Sequence, residues 1–578
     1  MLSSLYARAA IVAVAACASL SGVVRAEFSA AGAPISAGAL DRAVLTASRA
    51  IATSGPGVER AFVPDDPYYF PGNPAGSPGQ WHLNNTFNPI NDINVTPAWS
   101  RGLTGAGVVI GIVDDSLETA HPDLAPNYSA VNSFNFGSYT GAGAPNDPNP
   151  YRSNDQHGVS VAGLVAARGG NTIGVTGVAP HASLAGLRVD FQTQTSAMFA
   201  NAITYRPGFI HIKNHSYGEP DPFYAYPLEH AAVETSAADG TINVFAAGNY
   251  RYTKGQDSGK SNLINGSGAI VVSATAFNGV VSSYSNFGAN VFVTAPSNGN
   301  TYGIVTTDRT GVAGYGGFAD QSYTNGFGGT SAATPIVSGA LALAKQANPN
   351  LDTRFAKHLL ARTSRVVDAN DMSIEGDGNG VTAGSAWRTN GAGLKFNQNY
   401  GFGMVDVDAL TQAATQYTGV TAAISAAGGF DFTAALPDGS GLYLPFVVSN
   451  FDTPVEDVIF TMHFSHQRRG DLAAIIVSPS GTASRLFSEV VHPTLGDNVS
   501  VTNYSWDFLS NAFWGEDPNG EWRVYLFDTY VGTTVATGTW QGLDIVMNFG
   551  ELIPIPEPGS LLLLTSGALL LLCRRRAV

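Results

Sequence analysis

Short apolar runs and segments of helical periodicity alternate through the middle of the chain. The apolar runs are rich in β-branched residues and contain few polar positions, a pattern typical of strands buried on both faces of a parallel sheet. Such strands are predicted at 108–113, 209–212, 242–246, 269–274 and 291–295. Helices are predicted at 157–167, 226–238, 331–345 and 353–363. Because strands alternate with helices, we expect an α/β domain with a mostly parallel sheet and helices on both faces.

The pattern changes after about residue 417. Apolar and polar residues now alternate in stretches separated by turn residues, which predicts antiparallel strands with one buried face. These strands are expected at 443–448, 458–464, 472–477, 522–527 and 543–549. We therefore predict a separate all-β domain at 418–550, after an α/β domain at 61–417.

The first 60 residues carry features of targeting and processing. Arg8 precedes an apolar run, and Val24 and Ala26 are small residues at the two positions that a signal peptidase reads. We interpret residues 1–26 as a secretory signal peptide, with a lipoprotein box ending at Cys17 as the alternative. Residues 27–60, rich in Ala, Gly and Ser, are expected to form a short pro-segment or linker.

Residues 551–578 contain a second candidate targeting signal. Pro556-Glu557-Pro558 precedes an apolar stretch at 561–572, and three arginines follow at 574–576. So short a stretch spans a bilayer poorly, and the three features in this order resemble the PEP-CTERM sorting tail of Gram-negative bacteria. The resemblance implies an envelope sorting enzyme as a partner, transient membrane contact through the tail, and a secreted, envelope or extracellular-matrix location. A plain C-terminal membrane anchor is the alternative.

The composition limits which partners the protein can bind and how its domains can be stabilised. The 578 residues include 29 Lys and Arg against 44 Asp and Glu, a net charge of −15. No basic surface that would neutralise phosphates is expected, so nucleic acid is excluded as a partner. The two cysteines, Cys17 and Cys573, lie near the termini, so the domains between them have neither a disulfide nor a thiolate metal site.

Three residues at the ends of predicted elements form a candidate catalytic set. Asp114 follows the first buried strand, while His157 and Ser331 each open a helix. A serine hydroxyl is a weak nucleophile that needs an imidazole to accept its proton, and the imidazole needs a carboxylate to orient it. The chain order Asp, His, Ser is that of subtilisin, and no Gly-x-Ser-x-Gly elbow is present. Asn249, after another buried strand, is the candidate amide donor to the oxyanion.

The segments around these residues resemble the subtilisin superfamily of serine peptidases. The resemblance lies in IVDDSLETAHPDL, NDQHGVSVAGLVAA, FAAGN and GGTSAATPIVSGALAL. The segment that carries Asp66 and Trp81, and the doublet Asp114-Asp115, resemble the narrower kexin-like or proprotein-convertase branch. In the second domain HQRRGDL, SPSGT and GEWR resemble the P domain of convertases, a β sandwich. A freestanding carbohydrate-binding sandwich is the alternative for this domain.

The resemblance implies that calcium is a cofactor. Calcium prefers six to eight oxygen ligands, and its binding would stabilise a domain without disulfides. Asp66, Asp123 and Asn171 match side-chain ligands of the family's main structural calcium site. Convertases hold another calcium beneath the specificity pocket, but Asn286 stands here where an acidic ligand is expected.

Convertases select basic residues through a cluster of acids, which this chain retains in part. The candidate counterparts are Asp115, Asp221 and Asp257, whereas Asn154 replaces another acid. We therefore expect a loose preference for cleavage after basic residues.

The function predicted from these features is that of a secreted, calcium-stabilised serine endopeptidase. It would hydrolyse protein or peptide substrates through an acyl-enzyme intermediate. One alternative is an inactive scaffold whose β domain binds matrix polysaccharide or cell-surface partners. A lipase or esterase is the other, and the missing elbow disfavours it.

Overall fold

The computed structural model describes residues 61–72, 76–137, 145–251, 256–371, 386–489, 497, 499–529 and 536–556. The predicted signal peptide, the segment at 27–60 and the tail beyond residue 556 lie outside these ranges. Within them, no helix is both long enough and apolar enough to cross a membrane.

A seven-stranded sheet forms the centre of the first domain. Its strands are β1 (Val109–Asp114), β2 (Phe134–Asn135), β3 (Ser183–Arg188), β4 (Ile212–His215), β5 (Ile242–Ala246), β6 (Ala269–Thr275) and β7 (Val291–Pro296). They lie in the order β2-β3-β1-β4-β5-β6-β7, and every neighbouring pair is parallel. The predicted parallel α/β fold is confirmed.

Helices cover both faces of this sheet. They are α1 (Thr96–Ser100), α2 (His157–Ala166), α3 (Ser196–Thr204), α4 (Pro227–Ala238), α5 (Thr330–Ala347), α6 (Thr353–Thr363) and α7 (Val407–Ala414). Adjacent residues of β5 point to opposite faces: Val244 joins the core that contains α2 and α5, and Phe245 joins the core beside α3 and α4. This alternation explains why the strand sequences are apolar throughout.

One predicted strand is displaced in the structure. The strand expected at 209–212 spans Ile212–His215, and Phe209 lies in the preceding turn with 60% of its surface exposed. The polar residues Lys213, Asn214 and His215 are fully buried. Each has a hydrogen-bond partner inside the domain, which makes burial of the polar group tolerable.

Four short strands complete the first domain. They form two antiparallel pairs, β8 (Ile304–Thr307) with β9 (Tyr323–Phe327) and β10 (Arg388–Thr389) with β11 (Lys395–Phe396).

The second domain is a sandwich of two antiparallel four-stranded sheets. One sheet has the order β13 (Ile424–Leu436), β20 (Gly538–Phe549), β15 (Val455–His466), β18 (Val501–Ser510); the other has β14 (Gly441–Val448), β19 (Gly520–Asp528), β16 (Leu472–Val477), β17 (Ala483–Phe487). A further pair, β12 (Tyr417–Val420) and β21 (Leu552–Pro554), joins its two ends. Trp506, Trp514, Trp522 and Trp540 are all buried, so they serve as core residues and not as a sugar-binding platform.

The two domains interdigitate where they meet. Phe223 of the first domain belongs to the core of the sandwich, with its ring 5.3 Å from that of Trp506. In return Trp514 of the sandwich domain belongs to the core of the first domain, with its ring 5.3 Å from Phe292. Each domain therefore fills a space in the other.

A buried ionic cluster also crosses this contact. Glu456 at the start of β15 accepts hydrogen bonds from Arg354 Nε at 2.9 Å and Arg354 Nη2 at 2.7 Å. It also accepts one from His358 Nε2 at 2.7 Å, while Trp514 donates its indole N–H to His358 Nδ1 at 3.3 Å. Burial alone raises the pKa of Glu456, but the hydrogen bonds from His358 and Arg354 outweigh burial and lower it. Glu456 is therefore an ionised, fully partnered carboxylate at neutral pH.

Candidate active site

Three elements bring the predicted catalytic residues to one edge of the sheet. Strand β1 ends at Asp114, between β3 and β4, so this carboxylate lies at the carboxyl edge of the sheet. His157 is the first residue of α2, and Ser331 is the second residue of α5. Polar loops at the carboxyl ends of parallel strands are the usual location of sites in this kind of fold.

Asp114 and His157 form a tight pair. His157 Nδ1 lies 3.0 and 3.1 Å from the two carboxylate oxygens of Asp114, which is buried. Because a carboxylate only accepts, Nδ1 carries the proton and neutral His157 has its lone pair on Nε2. Gly158 permits this approach, since a Cβ there would lie 2.0 Å from the carbonyl oxygen of Ser116.

The pair determines the charge state of the imidazole. Burial lowers the pKa of His157, but the charge and hydrogen bond of Asp114 outweigh burial and raise it to about 9. The charged pair therefore contributes stability that is fully present just below about pH 6.5, the ordinary pKa of histidine, and is lost as the pH rises through about 9.

We expect the rate of Ser331 acylation by a fluorophosphonate to rise with pH to a midpoint near 9, because only neutral His157 accepts the serine proton. An imidazole of ordinary pKa would instead place the rise between about pH 6 and 7.5. Asp114→Asn removes the charge and should move the midpoint down toward about 6.5, with a lower maximal rate. A parent profile that is flat between pH 6 and 10 would contradict a role for His157 as the base.

Ser331 exchanges hydrogen bonds with Ser216, which follows β4. Ser331 Oγ donates to the carbonyl oxygen of Ser216 at 3.1 Å, and Ser216 Oγ donates to the carbonyl oxygen of Ser331 at 3.0 Å. The reciprocal pair fixes the start of α5 against the end of β4. Proton transfer to His157 requires the Ser331 hydroxyl to turn away from Ser216.

Asn249 is held beside the start of α5. Its Oδ1 accepts hydrogen bonds from Thr330 N at 2.8 Å and Thr330 Oγ1 at 3.0 Å. The amide nitrogen has no hydrogen-bond partner among the described residues, and the side chain is half-buried. The amide N–H groups are therefore available to an oxyanion formed next to Ser331.

Sequence reasoning missed the residues that position this asparagine. Asn286 Nδ2 donates to the carbonyl oxygen of Ala247 at 3.0 Å, and its Oδ1 accepts from Tyr250 N at 2.8 Å. Asn286, which stands where an acidic calcium ligand is expected, therefore holds the loop that carries Asn249 in place. Thr330 lies in the segment GGTSAATPIVSGALAL, but no feature of the sequence predicts its contact with Asn249.

The three acids predicted to bind substrate occupy different environments. Asp115 is buried, and its oxygens accept from Gly158 N at 2.9 Å and His157 N at 3.1 Å, so it caps α2. Burial and the charge of Asp114 raise the pKa of Asp115 to about 6. Asp221 is exposed on the loop after β4.

Asp257 lies in the contact between the domains. Its carboxylate accepts from Gly259 N at 2.9 Å and from Ser488 N of the sandwich at 3.2 Å, and the residue is 0% exposed. Burial raises its pKa to about 6. The structure therefore does not bring Asp257 to an open surface where a substrate side chain could meet it.

Comparison with known protein families agrees with this geometry. Residues 105–403, slightly more than half of the chain, match the model of the subtilase family, Peptidase S8. The chain belongs to the subtilase family. Residues 455–542 of this subtilase match the model of the proprotein convertase P-domain, which confirms the resemblance of the second domain.

Individual relatives support the narrower convertase branch. The subtilase is 31% identical to human furin over 524 residues, which cover 86% of this chain and 60% of furin. It is also 31% identical to rat proprotein convertase subtilisin/kexin type 5 over 481 residues, 78% of this chain. It spans only about a quarter, 24%, of that relative's length.

Two solved structures resemble the subtilase across both domains. A crystal structure of the serine protease of Aeromonas sobria matches with a TM-score of 0.74 and 26% identity, over 85% of this chain and 97% of the other. A complex of that protease with a chaperone matches with a TM-score of 0.72 and 27% identity, over 82% and 94% of the two chains.

The predicted calcium ligands of the subtilase lie together. Asp123 Oδ1 accepts from Asn171 Nδ2 at 2.9 Å, and Asp66 accepts from the backbone N–H groups of Gly170 at 2.9 Å and Asn171 at 3.2 Å. Both carboxylates are 0% exposed. Burial raises the pKa of Asp66, and it raises that of Asp123 to about 6.

The chemistry of this cluster fits a hard cation. Neither carboxylate forms a salt bridge with a described Lys or Arg, and a buried charge without a counter-ion is costly. In the described part of the chain, no group of three His, Cys, Asp or Glu side chains is arranged to hold a metal. An ion would therefore need Asn171, with its amide turned to present oxygen, and backbone carbonyls beside Asp66 and Asp123.

Proposed function

We propose that this subtilase is a secreted serine endopeptidase in which Ser331 is the nucleophile, His157 the base, Asp114 the orienting carboxylate and Asn249 the oxyanion donor. The observation that carries the proposal is the Asp114–His157 pair at 3.0 Å at the same sheet edge as the start of α5. The family membership and the anchored Asn249 support it.

The proposed reaction follows from these positions. Ser331 Oγ turns from the Ser216 carbonyl, transfers its proton to His157 Nε2 and attacks the peptide carbonyl carbon. The oxyanion forms beside the amide of Asn249, and His157 then returns the proton to the leaving amine as the C–N bond breaks. Water then attacks the acyl-enzyme as His157 accepts its proton. The acyl C–O bond breaks, His157 returns the proton to Ser331 Oγ, and the acid product leaves.

A peptide library tests this function. The purified full chain is incubated with peptides of diverse sequence, and new termini are located by mass spectrometry. Internal cleavage that is blocked by prior treatment with a fluorophosphonate is expected. Intact peptides after incubation with a chain that is folded by circular dichroism would contradict the proposal.

We propose further that cleavage favours basic residues loosely, with Asp221 as the main selecting acid, Asp115 contributing less and Asp257 kept from contact with the substrate by the sandwich. The support is positional: Asp221 is the exposed carboxylate of the three, whereas the other two are buried and hydrogen-bonded. An exposed acid attracts a cation weakly because water screens the pair.

Asp221→Ala is expected to lower kcat/KM for cleavage after Arg by up to about fivefold more than for cleavage after Leu, in keeping with an exposed pair worth at most about 1 kcal/mol. Competing peptides that differ only in this residue provide the measurement. Asp452→Ala removes an exposed acid of the sandwich and is the control. Equal losses for both peptides would show that Asp221 does not select.

We propose that Asp66, Asp123 and Asn171 hold a structural calcium ion. When bound, calcium would supply the positive charge that the two buried carboxylates lack. The ion has no place in the reaction steps above, since this cluster is formed by loops around 66, 123 and 171 and not by the residues of the catalytic set.

Chelation is expected to lower the melting temperature of the full chain. A ligand at about 100 times its Kd contributes about 2.7 kcal/mol to the stability of the folded state. Differential scanning calorimetry with and without a calcium-selective chelator, followed by calcium repletion, measures the effect. Asp123→Asn should melt early in both conditions, and a chelator-induced shift that persists in this variant would place the ion elsewhere.

We propose that residues 1–26 direct secretion and that residues 551–578 are a sorting tail recognised by an envelope enzyme of a Gram-negative bacterium. The support is the order of the sequence features. Deleting 557–578 should release the protein from the cell envelope into the medium if the tail directs its retention.

The Aeromonas sobria protease forms a complex with a chaperone, so a chaperone is also a candidate partner of this subtilase, in which the short segment at 27–60 precedes the first domain.

A further inference from the structure

Two acids near the loop that leads into His157, Asp155 and Asp190, are paired with arginines of this chain. The loop just before His157 contains Arg152 and Asp155, and the segment after β3 contains Asp190. Arg152 Nη2 lies 2.7 Å from Asp190 Oδ2, and Arg188 Nη2 lies 2.9 Å from Asp155 Oδ2. Both acids are buried, so each arginine is the counter-ion of a carboxylate that has little access to water.

Asp190 lies at the edge of the sheet that carries the catalytic residues. In the register of β1 and β3, Arg188 is opposite Asp114, and Asp190 follows two residues later. The next residue, Phe191, has its ring 5.8 Å from that of Tyr217. Tyr217 directly follows Ser216, whose carbonyl binds Ser331 Oγ. The segment 190–191 therefore borders the place where a substrate must lie to meet Ser331.

Arg152 is the outer member of its pair. Its side chain is 22% exposed, whereas that of Asp190 is 1% exposed, so the guanidinium covers the carboxylate. Arg152 Nη1 donates to Gln192 Oε1 at 2.7 Å, and Arg309 Nη1 donates to the carbonyl oxygen of Arg152 at 2.7 Å. These contacts anchor the backbone and the head of Arg152 over Asp190.

We propose that Arg152 is a specificity-determining residue: its guanidinium occupies, from within the chain, the place on Asp190 that a basic side chain of the substrate would otherwise take. The proposal deepens the proposed peptidase function and rests on it. This pairing accounts for the loose basic preference proposed above. A carboxylate that is already paired with an arginine offers little to a second cation.

Removal of Arg152 should convert this position into a selective subsite. Without the arginine, Asp190 loses its counter-ion and is uncovered toward the substrate, whose guanidinium would restore the pair. An uncharged side chain of the same shape cannot. The gain in selectivity must disappear when Asp190 also loses its charge, which distinguishes exposure of this acid from a general change in the net charge of the protein.

Peptide binding to full-length Ser331→Ala measures the effect without requiring catalysis. Fluorescent peptides carry Arg or its uncharged isostere citrulline at one non-prime position at a time, and fluorescence anisotropy gives each Kd. Adding Arg152→Ala is expected to raise the citrulline-to-Arg Kd ratio at least tenfold at one position. Adding Asp190→Asn as well should return the ratio to that of the Ser331→Ala parent.

Two further variants keep the test decisive. Arg152→Gln retains the first three side-chain carbons without the charge and should give the same shift if Arg152→Ala folds poorly. Arg523→Ala removes an exposed arginine of the sandwich and should leave the ratio unchanged. Ratios that stay within twofold at every position for both Arg152 variants would overturn the proposal, as would a gain that survives Asp190→Asn.

The outcome is separable from the peptidase assay. If the unmodified chain cleaves peptides and the ratio does not change, the role of Arg152 is wrong and the proposed function stands. If the chain cleaves nothing but the ratio changes, the subsite exists and the assignment of catalysis is wrong.

Discussion

Ser331→Ala is expected to abolish covalent labelling by a fluorophosphonate and to lower kcat about 10⁶-fold. Ser331 Oγ is the proposed nucleophile, and alanine has no replacement for it. The Asp114–His157 pair does not depend on this oxygen, and the hydrogen bond from Ser216 Oγ to the Ser331 carbonyl remains, so the variant should fold. Gel fluorescence after labelling and single-turnover peptide cleavage provide the two measurements.

Ser425→Ala is the matched control, because Ser425 is an exposed serine on β13 of the sandwich. It should label and cleave like the parent. Undiminished labelling of Ser331→Ala, with the modified residue mapped elsewhere by mass spectrometry, would refute the nucleophile assignment. The Ser331→Ala variant should still cleave peptides about 10³- to 10⁴-fold faster than the uncatalysed reaction, since the oxyanion site and substrate binding remain.

Glu456→Ala should reduce the free energy of unfolding by about 3–5 kcal/mol, the usual cost of removing one partner from a buried ionic cluster. Its carboxylate accepts from Arg354 and His358, and alanine would leave the Arg354 guanidinium without its counter-ion and the His358 N–H without its acceptor. Urea unfolding of the full chain, followed by tryptophan fluorescence, measures the change. Trp514 contacts His358, so its share of the emission of the seven tryptophans should change when this contact loosens.

The comparison variant for this prediction is Glu521→Ala. Glu521 pairs with Arg523 at 3.0 Å, but both side chains are about half exposed, at 55% and 50%. Screening by water should limit the loss to about 1 kcal/mol or less. Similar losses in the two variants would show that burial of the Glu456 cluster does not determine its contribution.

Most strands of the central sheet could be predicted because runs of apolar β-branched residues are typical of buried strands. Strand β3, with the sequence SLAGLR, could not: its Gly186 lies where a Cβ would be 2.5 Å from Pro148, a requirement set by a distant residue. Strand β4 was displaced because burial of Lys213 and His215 depends on partners supplied by other segments. Strand β13 was missed because it is rich in Ala and Gly, which are poor indicators of strands.

The candidate site shows the same division. Asp114, His157, Ser331 and Asn249 could be selected from the sequence because each type supplies a distinct chemical role within a recognisable segment. The environments of the acids could not. Asp257 is covered by the sandwich through Ser488, and Asp190 is paired with Arg152, contacts that depend on three-dimensional proximity and leave no local pattern.

The interdigitated aromatic residues limit how this protein can be recombined with its relatives. Trp514 is encoded with the sandwich but fills space beside Phe292 and Phe402, whereas Phe223 is encoded with the first domain but fills space beside Trp506. A recombination crossover near residue 417 would separate the two domains in the gene. Each domain would still contribute an aromatic residue to the hydrophobic core of the other. In a chimera, each large ring would meet a cavity shaped for another partner, so these five aromatic positions and their neighbours must be inherited as one unit.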